Sequence, residues 1–194
     1  MSAASPKREK QLPLAFPSPK KHSRKHPKVH GGEDYSTMRE RKVARPFDPA
    51  KPLHITMRSS SAVGERSMLH PSRSRVIRAI VHRAAKRHGI TLQRYVCVGN
   101  HLHLLIRTKS HRMLQARQAL RAFMREVSGL VARVVTGAKK GVPAGGRFWD
   151  HLAWSRIVEW GQDLLTLKKY IAKNFQEFIH ILVENNWPTP ELPP

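Results

Sequence analysis

A two-stranded hairpin near the middle of the chain is the feature that most limits how this sequence can fold. Residues 91–98 (TLQRYVCV) are rich in β-branched and aromatic residues, and residues 101–108 (HLHLLIRT) follow as the partner strand. Gly99 and Asn100 lie between the two runs, and such a pair favours the tight turns that join antiparallel strands. The hairpin therefore predicts an antiparallel sheet.

Strand and helix patterns alternate on both sides of this hairpin, and each shows the periodicity of its type. The predicted elements outside the hairpin are a strand with Leu53, Ile55 and Met57 on one face, a helix from the capping residue Ser72 to Gly89, a helix over residues 111–136, a strand over residues 152–158 and a helix over residues 161–185.

The chain order of these elements predicts the fold class. Six of them follow the order β-α-β-β-α-β, which is the split βαβ arrangement of ferredoxin-like and RRM-like domains. The prediction is therefore an α+β fold, in which an antiparallel sheet carries two helices on one face. The seventh element is an additional C-terminal helix that has to pack elsewhere, and the other face of the sheet is free to receive it.

The first fifty residues differ in composition from the rest of the chain. Residues 17–32 (PSPKKHSRKHPKVHGG) consist largely of Pro, Lys and His, and so few apolar side chains cannot offset the entropy lost on ordering. We therefore predict a disordered basic arm over residues 1–50, one folded domain over residues 51–187 and a Pro-rich tail over residues 188–194.

The charge of the chain indicates the class of its partner. The 36 Lys and Arg residues against 13 Asp and Glu give a formal net charge of +23. The arm holds twelve basic and five acidic side chains, so residues 51–194 still carry a formal charge of +16. This excess disfavours an acidic small-molecule enzyme and predicts a polyanionic partner.

The sequence also carries indications of the compartment. A single cysteine, Cys97, excludes an intramolecular disulfide framework and a Cys-only zinc site, as expected in a reducing cytosol. No run approaches the roughly 18 apolar residues of a membrane span. No apolar segment follows the charges at the amino end either. We expect a cytoplasmic, nucleoid-associated protein without a membrane partner.

Two histidines of the second hairpin strand are candidate metal ligands. Side chains alternate along a strand, so His101 and His103 share one face with Leu105, while the residues between them face the helical core. Their Cβ atoms are then roughly 6–7 Å apart, within reach of one divalent ion. The alternative is a histidine pair on a half-exposed strand, and spacing alone favours that alternative because H-x-H is a common pattern.

Tyr170 is a candidate functional residue of the last helix. Tyr170 and Asn174 are four residues apart, so they lie one above the other on the helix surface. Tyr170 lies at the edge of the apolar stripe that contains Ile171, Phe178 and Leu182. This position suits a phenol that points into a cleft, and it suits equally a tyrosine whose ring packs at the rim of the core.

Four short segments favour the functional interpretation of the histidine pair and of Tyr170 over the structural one. They are PLHITMR at residues 52–58, VGNHLHLL at residues 98–105, RFWDH at residues 147–151 and YIAKN at residues 170–174. Together, and in this order, they resemble the HUH-superfamily single-tyrosine transposases, in the REP-associated tyrosine transposase, or IS200-like, branch. The resemblance covers about residues 52–187 and implies that this region is a single-tyrosine HUH transposase domain.

The resemblance implies a mechanism. His101, His103 and Asn174 correspond to the ligands of a Mg²⁺ or Mn²⁺ ion that polarises the scissile phosphate. Tyr170 corresponds to the nucleophile, which attacks phosphorus to give a 5′-phosphotyrosine and a free 3′-hydroxyl. The implied enzyme nicks and rejoins single-stranded or hairpin DNA in a bacterial cytoplasm, and a homodimer is compatible with this activity.

Further residues are candidates for contacts around this site. Asp150 and His151 are candidates for residues that orient the metal ligands without binding the metal themselves. The alternative for Asp150 is a turn residue, and the alternative for His151 is a phosphate contact. The candidate DNA contacts are Arg94, Arg107, Arg147, Lys168 and Lys169.

Two other functions remain open from the sequence. A non-catalytic DNA- or RNA-binding protein of the same fold would have no use for both histidines, Tyr170 and Asn174 together. A metal-dependent phosphodiesterase that uses water as the nucleophile would leave Tyr170 dispensable. A covalent protein–DNA adduct distinguishes the transposase from both.

Overall fold

The computed structural model describes residues 30–31, 45–139, 142 and 146–184. From β2 onward the elements follow the predicted order, which confirms the α+β fold with an antiparallel sheet and three helices. The predicted tail, residues 188–194, lies outside the described residues. The elements are β1 (His30–Gly31), β2 (Leu53–Arg58), α1 (Pro71–Arg87), β3 (Ile90–Cys97), β4 (His101–Thr108), α2 (Met113–Thr136), β5 (Trp154–Ile157) and α3 (Gln162–Glu184), with a 3-10 turn at Gly64–Arg66.

The sheet has the strand order β1-β5-β2-β4-β3, and every neighbouring pair is antiparallel. The predicted hairpin joins β3 to β4. In its turn Gly99 has a φ of 83°, a backbone conformation that glycine adopts without the steric cost of a side chain. Strand β4 lies between β2 and β3, so the histidine-bearing strand is inside the sheet rather than at its edge.

Part of the arm predicted to be disordered is ordered. His30–Gly31 pairs with β5, and Phe47 is buried in the main core. The guanidinium of Arg45 donates hydrogen bonds to the Ser155 hydroxyl and to the Ala153 carbonyl. The predicted boundary at residue 51 was therefore too late, because an apolar ring and a guanidinium preceding it find partners on the folded domain. The rest of the arm lies outside the described residues.

The two faces of the sheet carry separate apolar clusters. Helices α1 and α2 cover one face, where they pack on the side chains of Leu53, Ile55 and Met57. Helix α3 covers the other face, which the prediction left free for the additional helix. Strand β4 is buried at seven of its eight residues, since both its faces are covered. The second cluster consists of Val96, Leu105, Val158, Leu164, Leu167 and Ile171.

The first helix begins differently from the prediction. Its N-cap is His70, whose Nδ1 accepts a hydrogen bond from the Ser72 N–H at 3.4 Å, so Ser72 lies inside the first turn. Pro71 occupies the first helical position because its fixed φ suits that place and its missing N–H is not needed there. Gly89, with a φ of 62°, follows the end of the helix as predicted. Among the described helices, none is both long and apolar enough to cross a membrane.

Candidate active site

Three histidines, rather than the two singled out from the sequence, form a buried column on the face of the sheet that α3 covers. The antiparallel register places Thr56 of β2 opposite His103 of β4, and His54 opposite Leu105. The ring centroids of His54 and His103 are 5.6 Å apart with planes inclined by 12°, and those of His103 and His101 are 6.1 Å apart with planes inclined by 17°.

The burial of these imidazoles contradicts the half-exposed strand of the alternative interpretation. The exposed fraction is 8% for His101, 3% for His103 and 0% for His54. The alternation of Leu53, Ile55 and Met57 already places His54 on the opposite face of β2. What the sequence pattern does not supply is the pairing of β2 with β4, which brings His54 to His103.

Burial also keeps the three imidazoles neutral. Desolvation lowers the pKa of His54 to about 3 and that of His103 to about 3, and the neighbouring imidazoles lower the pKa of His103 further. Desolvation, followed by the charge of Arg58, lowers the pKa of His101 to about 4, while Asp150 acts in the opposite direction. At neutral pH all three are therefore in the uncharged form in which an imidazole binds a metal ion.

The hydrogen bonds of the predicted ligands leave a ring nitrogen available. His101 Nδ1 lies 2.6 Å from Asn100 Oδ1, while His101 Nε2 is buried and has no hydrogen-bond partner among the described residues. His103 uses Nδ1 as well, at 3.4 Å from both Thr56 Oγ1 and His54 Nε2. An orphaned buried nitrogen beside a second neutral imidazole fits a divalent cation.

The histidine pair does not by itself make a complete metal site. Across the described ranges, no group of three or more His, Cys, Asp or Glu side chains has the arrangement needed to bind a metal ion. Within the described ranges a third protein ligand would therefore be of another type, and Asn174 is the residue predicted from the sequence. Its Nδ2 donates to the Tyr170 carbonyl at 2.9 Å, so the amide oxygen is the atom that would bind a metal.

Helix α3 places Tyr170 on the same side of the sheet as the histidines. The ring of Tyr170 is half-buried and packs against the second apolar cluster, together with Val98. Within that cluster Val96 is the strand neighbour of His103, and Leu105 follows His103 on the same face of β4. The Tyr170 ring thus packs on the rim of an apolar patch that adjoins the two histidines.

Arg58 and Asp150 flank His101. Arg58 is the strand partner of His101, and its Nε lies 3.5 Å from Asp150 Oδ2. Asp150 Oδ1 accepts hydrogen bonds from the backbone N–H and the hydroxyl of Ser60, both at 2.8 Å. Asp150 therefore binds Ser60 and pairs with Arg58, the strand partner of His101, and its role in orienting the ligands stays a prediction.

The predicted DNA contacts divide between the two faces of the sheet. Arg94 and Lys168 line one cavity of about 370 Å³ that is bordered by α1, β3 and α3. The Arg107 guanidinium lies 6.0 Å from the centre of the Trp160 ring. Lys169 is exposed on α3. These four side chains belong to the sheet face, or to the helix, that carries the candidate site.

Arg147 and His151 are not brought to the histidines. Both line a cavity of about 720 Å³ that is bounded by α2 and by Met57, on the opposite face of the sheet. The sequence could not separate them from Asp150, because residues 147–151 precede β5 in irregular structure and have no strand alternation. The expected role of His151 behind the ligands is not favoured by this position.

Comparison with known proteins finds a matching family model. A family model described as "Transposase IS200 like" matches residues 54–174, which include both histidines, Tyr170 and Asn174. No relative was found among curated proteins.

Two solved structures match this chain over part of its length. A candidate transposase from Deinococcus radiodurans R1 is 12% identical, with a TM-score of 0.42, covering 71% of this chain and 98% of that chain. A REP-associated tyrosine transposase bound to a REP hairpin is 10% identical, with a TM-score of 0.47, covering 77% of this chain and 76% of that chain.

Proposed function

Because the chain belongs to the IS200-like transposase family, we propose that it nicks and rejoins single-stranded or hairpin DNA through a covalent tyrosine intermediate. The observation that carries this proposal is the shared location of three groups. The neutral imidazoles of His101 and His103 and the helix that bears Tyr170 lie on one face of the sheet.

The ligand set in this proposal is His101, His103 and Asn174. Two neutral imidazoles and an amide oxygen suit Mn²⁺, and phosphate oxygens of the bound DNA would add the harder ligands that Mg²⁺ prefers. When bound, the ion would polarise the scissile phosphate and stabilise the charge that develops on its oxygens. The buried, uncharged state of both histidines supports this assignment, since neither has to lose a proton before binding a metal.

Tyr170 is the proposed nucleophile. Its hydroxyl loses a proton and its oxygen attacks phosphorus, while the bond from phosphorus to the 3′ oxygen breaks and that oxygen takes up a proton. The products are a 5′-phosphotyrosine and a free 3′-hydroxyl. Because the phosphodiester energy is conserved in the covalent bond, a second 3′-hydroxyl can displace the tyrosine without ATP.

Arg94 and Lys168 are the proposed phosphate contacts on this face. They line the cavity that is bordered by α1, β3 and α3, so a strand lying there would pass beside the helix that bears Tyr170. Arg107 is farther along β4, stacked over Trp160, and an arginine on an aromatic ring offers a stacking surface for a base.

The test is a covalent adduct. Full-length protein is incubated with a hairpin DNA labelled on the 5′-phosphate side of the expected cut, with Mn²⁺ or with EDTA, and is resolved on a denaturing gel. We expect a labelled protein band only with the metal, and none for Tyr170→Phe.

The matched control is Tyr95→Phe. Tyr95 is on β3, where it packs against the main core on the face opposite to the histidines, so its substitution should leave the adduct unchanged. Metal-dependent cleavage without a protein–DNA band would identify a hydrolytic phosphodiesterase instead. Binding without any cleavage would identify a non-catalytic DNA-binding protein.

A further inference from the structure

The two predicted ligands make their hydrogen-bond contacts through the same ring nitrogen. In both His101 and His103 the contacts are made by Nδ1 and not by Nε2. A neutral imidazole has one protonated and one bare nitrogen, so the partner of one nitrogen decides which nitrogen is free to bind a metal.

Asn100 determines the state of His101. The contact of 2.6 Å joins His101 Nδ1 to the amide oxygen of Asn100, and a carbonyl oxygen can only accept a hydrogen bond. The proton of His101 is therefore on Nδ1, and the buried Nε2 carries the lone pair. Asn100 itself is held by the hairpin turn, where its carbonyl accepts from Ser59 N–H at 3.0 Å and its N–H donates to the Val98 carbonyl at 3.0 Å.

His54 occupies the corresponding place beside His103. Its Nε2 lies 3.4 Å from His103 Nδ1, and Thr56 Oγ1 lies at the same distance from that atom. The ring of His54 is fully buried and packs edge-on against Trp154 at 5.8 Å. Its Nδ1 has no hydrogen-bond partner within the part of the chain that is described. A buried polar ring with one unsatisfied nitrogen costs free energy, and packing alone does not account for it.

We propose that Asn100 and His54 are positioning residues, which keep His101 and His103 in the Nδ1-protonated tautomer and so present both Nε2 lone pairs to one divalent cation. This inference rests on the proposed metal-dependent cleavage, but its test does not require cleavage. The opposite arrangement at His103, in which His54 Nε2–H donates, would place a proton on His103 Nε2 and block the metal.

The first measurement is the tautomer of each histidine in the metal-free protein. Full-length protein labelled with ¹⁵N-histidine is treated with EDTA and studied by long-range ¹H–¹⁵N correlation at pH 7.5, with assignment from His101→Gln and His103→Gln. We expect the Nδ1–H tautomer for both residues. An Nε2–H tautomer at either histidine in the unsubstituted protein overturns the inference.

The second measurement is Mn²⁺ affinity without DNA, by electron paramagnetic resonance. Loss of an outer partner of a metal-binding histidine lowers metal affinity by about 10- to 100-fold, so Asn100→Ala and His54→Phe should each show a loss of this size. Asn100→Asp and His54→Gln keep an acceptor, so each should lose less than the roughly 10-fold that follows loss of an outer partner. These conservative variants separate a lost acceptor from a general defect in folding.

The matched control is Thr108→Val. Thr108 is a buried polar residue of the same strand, its hydroxyl donates to the Ser110 carbonyl, and it contacts neither histidine. We expect its Mn²⁺ affinity to be unchanged. Equal Mn²⁺ affinity of Asn100→Ala, His54→Phe and the unsubstituted protein overturns the inference, as does an unsubstituted protein that binds no Mn²⁺. Correct tautomers and Mn²⁺ binding without a protein–DNA adduct would instead refute the proposed strand transfer.

Discussion

Arg58 and Asp150 join the end of β2 to the segment that precedes β5, with Arg58 Nε 3.5 Å from Asp150 Oδ2 and the Asp150 N–H donating to the Arg58 carbonyl at 3.0 Å. The same carboxylate accepts two hydrogen bonds from Ser60. This connection lies directly beside His101, because Arg58 is the strand partner of that histidine.

Asp150→Ala should lower the free energy of unfolding by about 1–3 kcal/mol, the usual range for hydrogen bonds to a charged group. The ion pair itself should contribute little of this, since it is partly exposed. Asp150→Asn retains an acceptor for Ser60, so its free energy of unfolding should decrease less than that of Asp150→Ala. Urea denaturation of the three proteins measures the difference, and identical midpoints would contradict the connecting role of the carboxylate.

Tyr170→Phe should abolish the covalent adduct while leaving the fold intact. The substitution removes only a hydroxyl from a half-buried ring, so the free energy of unfolding should change by less than about 1 kcal/mol. DNA affinity and Mn²⁺ affinity should be unchanged. Thermal denaturation, a DNA-binding titration and the denaturing gel measure the three quantities, and wild-type cleavage by this variant would refute the tyrosine mechanism.

His101→Gln and His103→Gln should each abolish metal-dependent cleavage. Glutamine retains a polar group of similar length, but its neutral amide oxygen is a weaker ligand than an imidazole nitrogen, so Mn²⁺ affinity in the presence of DNA should also fall. Asn174→Ala should have a milder effect, because a neutral amide oxygen is the weakest of the three proposed ligands. Calorimetric titration with Mn²⁺ measures how much affinity each variant loses. A variant at Asn174 that loses more affinity than one at His101 would contradict the proposed ligand set.

Acid should destabilise the metal-free protein in a defined pH window. The pKa of His54 and of His103 is lowered to about 3 in the folded state, while an unfolded histidine titrates near 6.5. Between these values the unfolded state binds protons that the folded state does not. Stability is therefore complete above about pH 6.5 and falls as the pH decreases towards 3, by about 2 kcal/mol per histidine at pH 5.

The measurement is urea denaturation in EDTA at pH 7.5, 6 and 5. His103→Gln removes one of the three buried imidazoles with a lowered pKa and should flatten the pH dependence. Midpoints that do not change between pH 7.5 and pH 5 would show that these imidazoles are not buried in the neutral form.

DNA affinity should decrease steeply with salt. Each phosphate neutralised on a single strand contributes about −0.7 to the slope of log affinity against log salt concentration. Residues 1–29 carry eight basic and one acidic side chain, so their deletion should reduce the slope and the affinity. Cleavage should persist, because no candidate site residue lies there. A slope near zero for the full-length protein would contradict binding through phosphates.

Strand alternation accounts for what the sequence predicted well. It separated His101 and His103 from the core side of β4, and the leftover apolar helix then had one face of the sheet available. Alternation does not specify which strands become neighbours, and for this reason His54 was missed as a partner of His103. The positions of Arg147 and His151 were unpredictable for a related reason, since irregular segments have no periodicity that assigns a face.

The remaining differences between the prediction and the structure come from contacts of single residues. Phe47 and Arg45 are single residues in a polar segment, and composition averaged over fifty residues conceals them. The choice of His70 over Ser72 as the cap depended on Pro71, whose backbone preference outweighs the capping preference of serine.

The division of the apolar interior into two clusters gives the molecule two units of different thermodynamic character. Helix α3 is attached through the smaller cluster, while α1, α2 and the other face of the sheet share the larger one. Local opening free energies follow the amount of apolar surface that each unit buries. The helix that bears Tyr170 and Asn174 is therefore expected to be the first element to detach, before global unfolding, which allows the candidate catalytic groups to rearrange around a strand of DNA while the rest of the fold remains intact.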